Sequence, residues 1–214
     1  MSSEAEVPRV VEATAPCTHT TWPSHDVIES WLGDPDEDDG PGADTHVRTH
    51  DGAEARAAST RHLRDVLGRF ASGVTVVTAL SEGEPIGLTC QSFASVSLDP
   101  PLVLFVAART SRAWPLIRAS GTFCVNILAD GQEDLSNTMA SRGTDKYAGV
   151  DWTPSPRTGS PVLPGTVGFV DCTVHAVHAA GDHDVVIGRV VDLDACDGGR
   201  PLLFNRGAYT TVAD

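Results

Sequence analysis

The chain has 214 residues and a formal net charge of −14, with 29 acidic side chains against 15 basic ones. Lys146 is its only lysine and no basic stripe occurs, so nucleic acid is not an expected partner. Its five cysteines are widely spaced without a C-x-x-C pair, which predicts neither a disulfide framework nor a structural zinc site. No stretch approaches the ~20 apolar residues that span a bilayer.

The acidity is concentrated in residues 1–58, where 13 acidic residues face three arginines. This segment also holds five prolines and no sustained apolar periodicity. It cannot bury enough apolar surface to offset about 1–2 kcal/mol of backbone ordering per residue. We therefore expect a mostly disordered acidic leader at 1–58, followed by one domain of ordinary size at 59–214.

One patch of the leader has near-helical apolar spacing behind Ser24, a candidate N-cap. Its apolar residues are Trp22, Val27, Ile28, Trp31 and Leu32. The patch predicts either a transient helix without a partner or a short amphipathic docking element. The leader lacks the basic start and continuous apolar core of a secretory signal, and its acidity argues against a mitochondrial transit peptide. The expected location is the cytoplasm, in soluble form and without membrane contact.

The domain opens with a pattern typical of a helix followed by a hairpin. Apolar residues at helical spacing in 63–70 predict a helix capped by Ser59 or Thr60 and ended by Gly73. Residues 74–80 are rich in β-branched side chains, and a turn at 81–85 leads into residues 86–90. This order predicts a β-hairpin.

Further strands and two short helices follow. Residues 93–98 predict a strand, and the run 102–108, apolar on both faces, predicts a buried central strand. Ser111 is placed to cap a short helix in which Pro115 occupies the first turn. The remaining predicted elements are a strand at 122–128, a weak helix at 133–140, a Gly/Pro/Ser-rich loop at 141–164, and strands at 167–178, 183–193, 201–204 and 208–212.

The predicted strands outnumber the helices, and short turns link several sequence neighbours. This pattern favours a mainly β fold, an antiparallel barrel with a few short helices, over a doubly wound sheet. Neither G-x-G-x-x-G nor G-x-x-x-x-G-K-[ST] occurs in the chain. A phosphorylated cofactor would therefore need other donors.

Such donors cluster beside Gly87, at the mouth of the predicted hairpin. They are Thr89, Gln91, Ser92, Ser95 and Ser97. Ser111 and Arg112 start a predicted helix whose free N–H groups favour anions. Hydroxyl and amide groups of this kind hold a ribityl chain and phosphate without lysine. Ser/Thr clusters in strands are also commonly solvated without any ligand, so composition alone leaves both interpretations open.

Three segments occur in a distinctive order within residues 63–209. They are LRDVLGRFASGVTVVT at 63–78, GLTCQSFASVSLDPPL at 87–102 and GDHDVVIGRV at 181–190. Together they resemble the flavin reductase family with the FMN-binding split-barrel fold. The resemblance implies an NAD(P)H:flavin oxidoreductase, the reductase component of a two-component flavin-dependent monooxygenase. Such enzymes transfer hydride from nicotinamide C4 to flavin N5, and they are typically homodimers with flavin near the subunit interface.

The resemblance also implies roles for individual positions. The implied cofactor-binding residues beside the isoalloxazine ring are Val74, Thr75 and Val76. Those that surround the flavin are Thr89, Cys90, Gln91 and Ser92, with Ser92 toward the phosphate, and the same wall continues through Ser95, Val96 and Ser97. A second loop on the phosphate side contributes Ala108, Arg109, Ser111 and Arg112, and the set is completed by the basic position Lys146 and by Tyr209 at the C-terminal edge of the pocket. His183 is implied as the catalytic residue on the nicotinamide side. A histidine at a strand start is also an ordinary turn residue.

Two departures from the family pattern occur at Cys90 and Gln91, where relatives usually have Ala and Asn. Ring-side contacts can therefore differ, and Cys90 is either a packing residue, which we favour, or a redox thiol. Cys172, His175 and His178 would suggest a metal. Along a strand, however, positions 175 and 178 face opposite sides, so no metal site is expected.

Three functions stay open from the sequence. The first is a reductase that releases reduced FMN or FAD to a partner monooxygenase. The second is a flavoenzyme of the same fold that retains FMN and acts on an organic substrate, and the third is a non-catalytic flavin- or haem-binding module. The sequence does not distinguish NADH from NADPH, or FMN from FAD. In the first two, the cofactors perform the chemistry, so no protein nucleophile is expected.

Overall fold

The computed structural model describes residues 53–213 except 144 and 196–198, and at residues 53–59 it describes the backbone only. The patch at 22–32, Cys17 and Cys196 lie outside the described residues. The helices are α1 (Ala53–Leu67), α2 (Ala113–Ser120) and α3 (Glu133–Ala140). The strands are β1 (Ser72–Gly73), β2 (Thr75–Ser81), β3 (Glu84–Cys90), β4 (Ala94–Leu98), β5 (Pro101–Ala108), β6 (Thr122–Ile127), β7 (Thr153–Pro154), β8 (Pro161–Val162), β9 (Gly168–Ala180), β10 (His183–Ala195), β11 (Leu202–Asn205) and β12 (Ala208–Thr211).

Seven strands form one sheet in the order β3-β2-β6-β9-β10-β5-β4, and every pair in it is antiparallel. A three-stranded sheet, β1-β11-β12, and the small pair β7-β8 complete the β-structure. Strands are joined to sequence neighbours mainly by hairpins, as short loops require. The predicted mainly β, antiparallel fold is confirmed.

The β2-β3 hairpin is confirmed where it was predicted. Its turn residues Glu82 and Gly83 both have positive φ, 53° and 87°. Two positive φ angles match the right-handed twist of a two-residue hairpin turn. In this hairpin the start of β2 pairs with the end of β3, with Thr75 opposite Cys90.

Strand β2 separates two apolar cores because alternate side chains face opposite sides of a strand. Val77 and Ala79 join the larger core, in which Phe105 packs edge-on against Trp114 and Phe123 with centroids 5.9 and 5.1 Å apart. The smaller core contains Val74, Val76, Leu128, Met139, Leu163, Leu202 and Phe204. Cys124 and Cys172 are buried free thiols, as predicted, and burial raises both pKa values, that of Cys172 to about 12.

The opening helix starts earlier than predicted. Helix α1 begins at Ala53 rather than behind Ser59, because the alanine-rich stretch before that serine has high helix propensity. The predicted domain start at residue 59 thus lies inside α1. The helix also ends at Leu67, which leaves Phe70 beyond it and 82% exposed.

Strand β5 is buried less completely than its apolar sequence predicted. It lies between β10 and the edge strand β4, with Val103, Phe105 and Ala107 buried and the alternate residues only half-buried. An apolar run does not by itself distinguish a strand covered on both faces from one covered on a single face. The prediction of a buried central strand was therefore wrong for one face of β5.

The long loop after α3 is fixed to the smaller core by buried polar contacts. Thr78 Oγ1 donates to the carbonyl of Pro161 at 2.5 Å, and Asn126 Nδ2 donates to the same carbonyl at 3.2 Å. Asn126 Oδ1 accepts the Leu163 N–H at 2.8 Å. These bonds hold the far end of the loop whose near end carries Lys146.

Candidate active site

Two connected clefts open where the end of β3 faces the start of α2. The large cleft has a volume of about 610 Å³ and the small cleft about 260 Å³. Leu88, Thr89 and Ser111 line both. The large cleft by itself falls within the size range of cofactor sites, ~300–1,000 Å³. A ligand with two chemically different ends would fit across this junction.

The segment from Thr89 to Ser92 is held in place by its own side chains. Thr89 Oγ1 donates to the Ser136 carbonyl of α3 at 2.6 Å. Ser92 Oγ accepts the Val106 N–H at 2.8 Å and lies 3.3 Å from the Val106 carbonyl. The Ser92 hydroxyl thus bonds to β5 while it lines the small cleft, and its implied position toward a flavin phosphate stays a prediction. Its role in the structure is to tie the end of β3 to β5.

Two residues of this segment, Cys90 and Gln91, line the small cleft and differ from the residues usual in the family. Cys90 is buried, its Sγ lies 3.0 Å from Ser92 Oγ, and burial raises the pKa of its thiol. A thiol that resists ionisation is a poor nucleophile, which favours the packing role over the redox role. Gln91 Nε2 is buried without a hydrogen-bond partner among the described residues.

The large cleft carries a cationic wall made of Arg112, Arg142 and Lys146. Arg112 Nη1 donates to the Arg142 carbonyl at 3.2 Å, and Lys146 Nζ donates to the Gly87 and Met139 carbonyls at 3.2 and 2.6 Å. Within the part of the chain that the structure describes, none of the three cations forms an ion pair. Glu84 and Asp145 also line this cleft, so its lining carries three cationic side chains against two acidic ones.

Burial lowers the pKa of Lys146 to about 8, below the usual 10.5. Between these values the unfolded chain binds more protons than the folded chain, so folded stability rises with pH across this window. We expect the unfolding free energy of the wild type to rise relative to Lys146→Met from pH 8 to pH 10, measured by urea denaturation. Arg142→Met is the control, because guanidinium does not titrate there. A difference between wild type and Lys146→Met that stays constant with pH would contradict the lowered pKa.

His183 stands at the opposite end of the site, in the small cleft. It begins β10, pairs with Ala108 of β5, and its side chain is 15% exposed. Its Nδ1 lies 2.6 Å from Asp182 Oδ1, which orients the imidazole and leaves Nε2 on the other side of the ring. The imidazole is thus fixed at the cleft wall.

The structure brings eight of the predicted site residues to the clefts: Thr89, Cys90, Gln91, Ser92, Ala108, Ser111, Arg112 and Lys146, together with His183. The others lie outside both clefts: Val74, Thr75, Val76, Ser95, Val96, Ser97, Arg109 and Tyr209. Two of these bond to segments that line or support the site. Thr75 Oγ1 donates to the Cys90 carbonyl at 2.8 Å, and Tyr209 donates to Ser136 Oγ at 2.9 Å. Ser95 and Val96 are exposed on the edge strand β4.

Several lining residues were not predicted from the sequence. They are chiefly Leu88, Leu116, Met139, Arg142 and Tyr147. Arg142 and Tyr147 lie in a stretch that was assigned only as a loop. In an acidic chain, two basic residues only four positions apart, Arg142 and the lone lysine Lys146, were the sequence feature that could have predicted the cationic wall.

No group of three metal-ligating side chains occurs among the described residues. No helix in that part of the chain is long and apolar enough to cross a membrane.

Known proteins share both the sequence and the fold of this chain. A family model described as a flavin reductase like domain matches residues 67–213. The flavin-dependent monooxygenase reductase subunit HsaB of Rhodococcus jostii is 50% identical over 165 residues, covering 77% of this chain and 84% of that protein.

Solved structures agree with this match. Nitrilotriacetate monooxygenase component B from Mycobacterium thermoresistibile is 51% identical with a TM-score of 0.72, covering 74% of this chain and 89% of that one. The NADH:FAD oxidoreductase SgcE6 of Streptomyces globisporus, solved with NAD and FAD fragments, is 35% identical with a TM-score of 0.69, covering 73% and 94%. The chain belongs to the flavin reductase-like domain family, and it is an oxidoreductase of that family.

Proposed function

We propose that this chain is an NAD(P)H-dependent flavin reductase that supplies reduced FMN or FAD to a partner monooxygenase. The observation that carries the proposal is the pair of connected clefts, with a cationic wall in one and a fixed imidazole in the other. Relatives named as reductase subunits of monooxygenases support the delivery of reduced flavin to a second protein. The chemistry supplied by the bound cofactors is hydride transfer.

The chemistry of the lining residues fits a flavin. Ile86, Leu88 and Leu116 offer apolar surface for a flat ring, and the cationic wall offers charge for a phosphate. Gly87 makes the cleft compact, because a Cβ there would come within 3.1 Å of the Tyr147 hydroxyl and 3.3 Å of Met139 Sδ. A side chain at position 87 would push the loop that carries Lys146 away from β3.

We assign the predicted residues to two tasks. Those that line the clefts contact the flavin or the nicotinamide directly, with Ser111, Arg112 and Lys146 toward the phosphate and His183 toward the nicotinamide. Residues 95–97 continue the flavin wall along β4. Of the others outside the clefts, Thr75, Arg109 and Tyr209 hold neighbouring segments in position through hydrogen bonds, and Val74 and Val76 do so by packing in the smaller core. The chain itself orients two rings and excludes water, which converts a bimolecular encounter into an aligned one.

Mixing the purified chain with NADH or NADPH and excess free flavin tests the function. Repeated loss of the reduced-nicotinamide absorbance with free FMN or FAD would support a releasing reductase. Bleaching that stops after one equivalent of bound flavin would instead indicate a flavoenzyme that retains its cofactor. No absorbance change would indicate a non-catalytic module. The NADH and NADPH arms, each run with FMN and with FAD, also establish which pair is used.

We also propose that the chain forms a homodimer through apolar side chains on β4 and β10, the strands on either side of β5. Leu98 is 91% exposed, and Val96, Val191 and Leu193 are also exposed. Exposed apolar side chains that together form a contiguous patch commonly mark a contact surface. The homodimers implied by the family resemblance make a second copy the expected occupant.

Substituting Leu98 with Asp should therefore produce monomers. A buried, unpaired carboxylate at such a contact costs about 2–5 kcal/mol, enough to dissociate a dimer at micromolar concentration. Sedimentation velocity would detect the change. Val212→Asp is the matched control, since Val212 is exposed but lies beyond β12. Equal sedimentation of wild type and Leu98→Asp would contradict this surface.

We further propose a cytoplasmic location and a catalytic domain at 59–214 preceded by a separate acidic leader. Cys90, Cys124 and Cys172 are free buried thiols, which suit a reducing compartment. The family match at 67–213 supports a catalytic unit that does not need residues 1–58.

A further inference from the structure

A buried carboxylate on β10 faces α2 from the position after His183. Asp184 is 6% exposed, accepts the Trp114 Nε1–H at 2.9 Å and accepts the Arg109 Nε–H at 3.1 Å. Arg118 Nη1 lies 3.8 Å from the same carboxylate. Burial by itself would raise the pKa of Asp184, but the bonds from Trp114 and Arg109 and the charges of both arginines hold it below its usual range. Asp184 is therefore a carboxylate that only accepts hydrogen bonds.

The two donors held by Asp184 stand at the two ends of one turn, residues 109–114. Between them lie Ser111 and Arg112, which line the clefts. The backbone adds two ties: the Arg109 N–H donates to the Asp182 carbonyl at 3.0 Å, and the Trp114 N–H donates to Ser111 Oγ at 3.3 Å. The turn is thus fastened to β10 at its start and at its end.

We infer that Asp184 is a positioning residue for flavin phosphate binding. It holds the 109–114 turn so that Ser111 and Arg112 present the start of α2 to the large cleft. This inference rests on the proposed function, since it assumes that the anion bound there is the phosphate of a flavin. Ser111 and Arg112, the residues of this turn that line the clefts, carry a hydroxyl and a guanidinium, which suit a phosphate better than an apolar ring, so we expect the effect to fall mainly on phosphorylated flavins.

Loss of Asp184 changes phosphate affinity in two opposite ways, through its charge and through the position of the turn. The sign of the measured change therefore shows which of the two is larger. Removing a negative charge near an anion site strengthens anion binding, whereas loosening the turn weakens it. The carboxylate bonds directly to both ends of the turn, whereas its charge acts on a bound anion only at a distance and through a screening medium. Position therefore outweighs charge, and loss of Asp184 weakens phosphate binding.

Asp184→Asn in the full chain tests this directly. The asparagine side chain has one oxygen and one NH₂ group, so either Trp114 or Arg109 must face a donor in place of an acceptor. We expect the Kd for FMN, measured by flavin fluorescence titration, to rise about tenfold, which equals about 1.4 kcal/mol. The Kd for riboflavin, which lacks the phosphate, should stay within about twofold, and kcat at saturating FMN should be close to wild type. Equal weakening for both flavins, or tighter FMN binding, would overturn the inference.

Trp114→Phe provides a second test without any change of charge. The variant removes the indole N–H but keeps an aromatic ring against Phe105, so the fold should survive even if Asp184→Asn unfolds. FMN binding should again weaken relative to riboflavin, by a smaller factor, and an unchanged FMN-to-riboflavin ratio would overturn the inference. The two ideas fail separately: a wild type that binds FMN but never oxidises NADH sinks the proposed function, while the Kd ratio still decides the role of Asp184.

Discussion

Replacing His183 with alanine should slow flavin reduction about tenfold or more and leave the fold intact. His183 lines the small cleft and is held by Asp182, which supports the proposal that its imidazole orients the nicotinamide against the flavin. Losing one oriented contact that strengthens in the transition state raises the barrier by about 1.4 kcal/mol, a factor of ten in rate. Initial rates at varied NADH and fixed FMN would give kcat and the nicotinamide KM.

His178→Ala is the matched control for this experiment. His178 is an exposed histidine on β9, opposite Val185, and it lies outside both clefts. Its loss should change neither kinetic constant. If His183→Ala instead has the wild-type rate and the wild-type nicotinamide KM, His183 is only a turn residue and the catalytic assignment is wrong.

Replacing Gly188 with alanine should produce the largest loss of stability. Gly188 lies mid-strand in β10, and a Cβ there would overlap the ring of Phe123 and come within 3.3 Å of Cys172 Cβ. Phe123 is fully buried in the larger core and packs against Phe105, so its ring has nowhere to move. Overpacking of this kind costs about 2–3 kcal/mol, and urea denaturation would measure it as a lower midpoint at unchanged slope.

Gly73→Ala separates this steric effect from the general effect of adding a methyl group. A Cβ at Gly73 meets nothing within 4 Å, and Gly73 has no positive φ. The substitution should be neutral or stabilise by about 0.4–1 kcal/mol through the unfolded chain. Equal stabilities for Gly188→Ala and the wild type would mean that Phe123 has room to shift. The close packing of Gly188 against Phe123 would then not be required for stability.

The fold could be predicted because its signals are local. β-Branched residues in β2 and the Glu82-Gly83 turn determine structure within a few residues, and the excess of predicted strands with short links favoured an antiparallel barrel over a doubly wound sheet. The start of α1 and the open face of β5 could not be predicted, since helix propensity before Ser59 and the covering of β5 depend on features outside the apolar periodicity.

The sequence indicated several residues that lie at the clefts, but it did not indicate which contacts their side chains make. Sequence order singled out Thr89, Ser111 and His183, and all three line the clefts, while their roles stay predictions. It could not reveal that the Ser92 hydroxyl is used by β5, or that Tyr209 binds α3 instead of facing the cleft, because both depend on contacts between distant segments. Arg142 was missed for the same reason, because the role of a loop residue depends on the distant segments that it faces in the folded chain.

The lone lysine gives the large cleft a built-in chemical reporter. Lys146 carries the only side-chain amine in the chain, and at a pH near its pKa of about 8 roughly half of these amines are uncharged and nucleophilic. Amine-directed reagents therefore have one side-chain target besides the amino terminus, and that target lies inside the cleft. Occupancy of the cleft can thus be followed by the rate of acylation at a single atom, without inserting any probe into the protein.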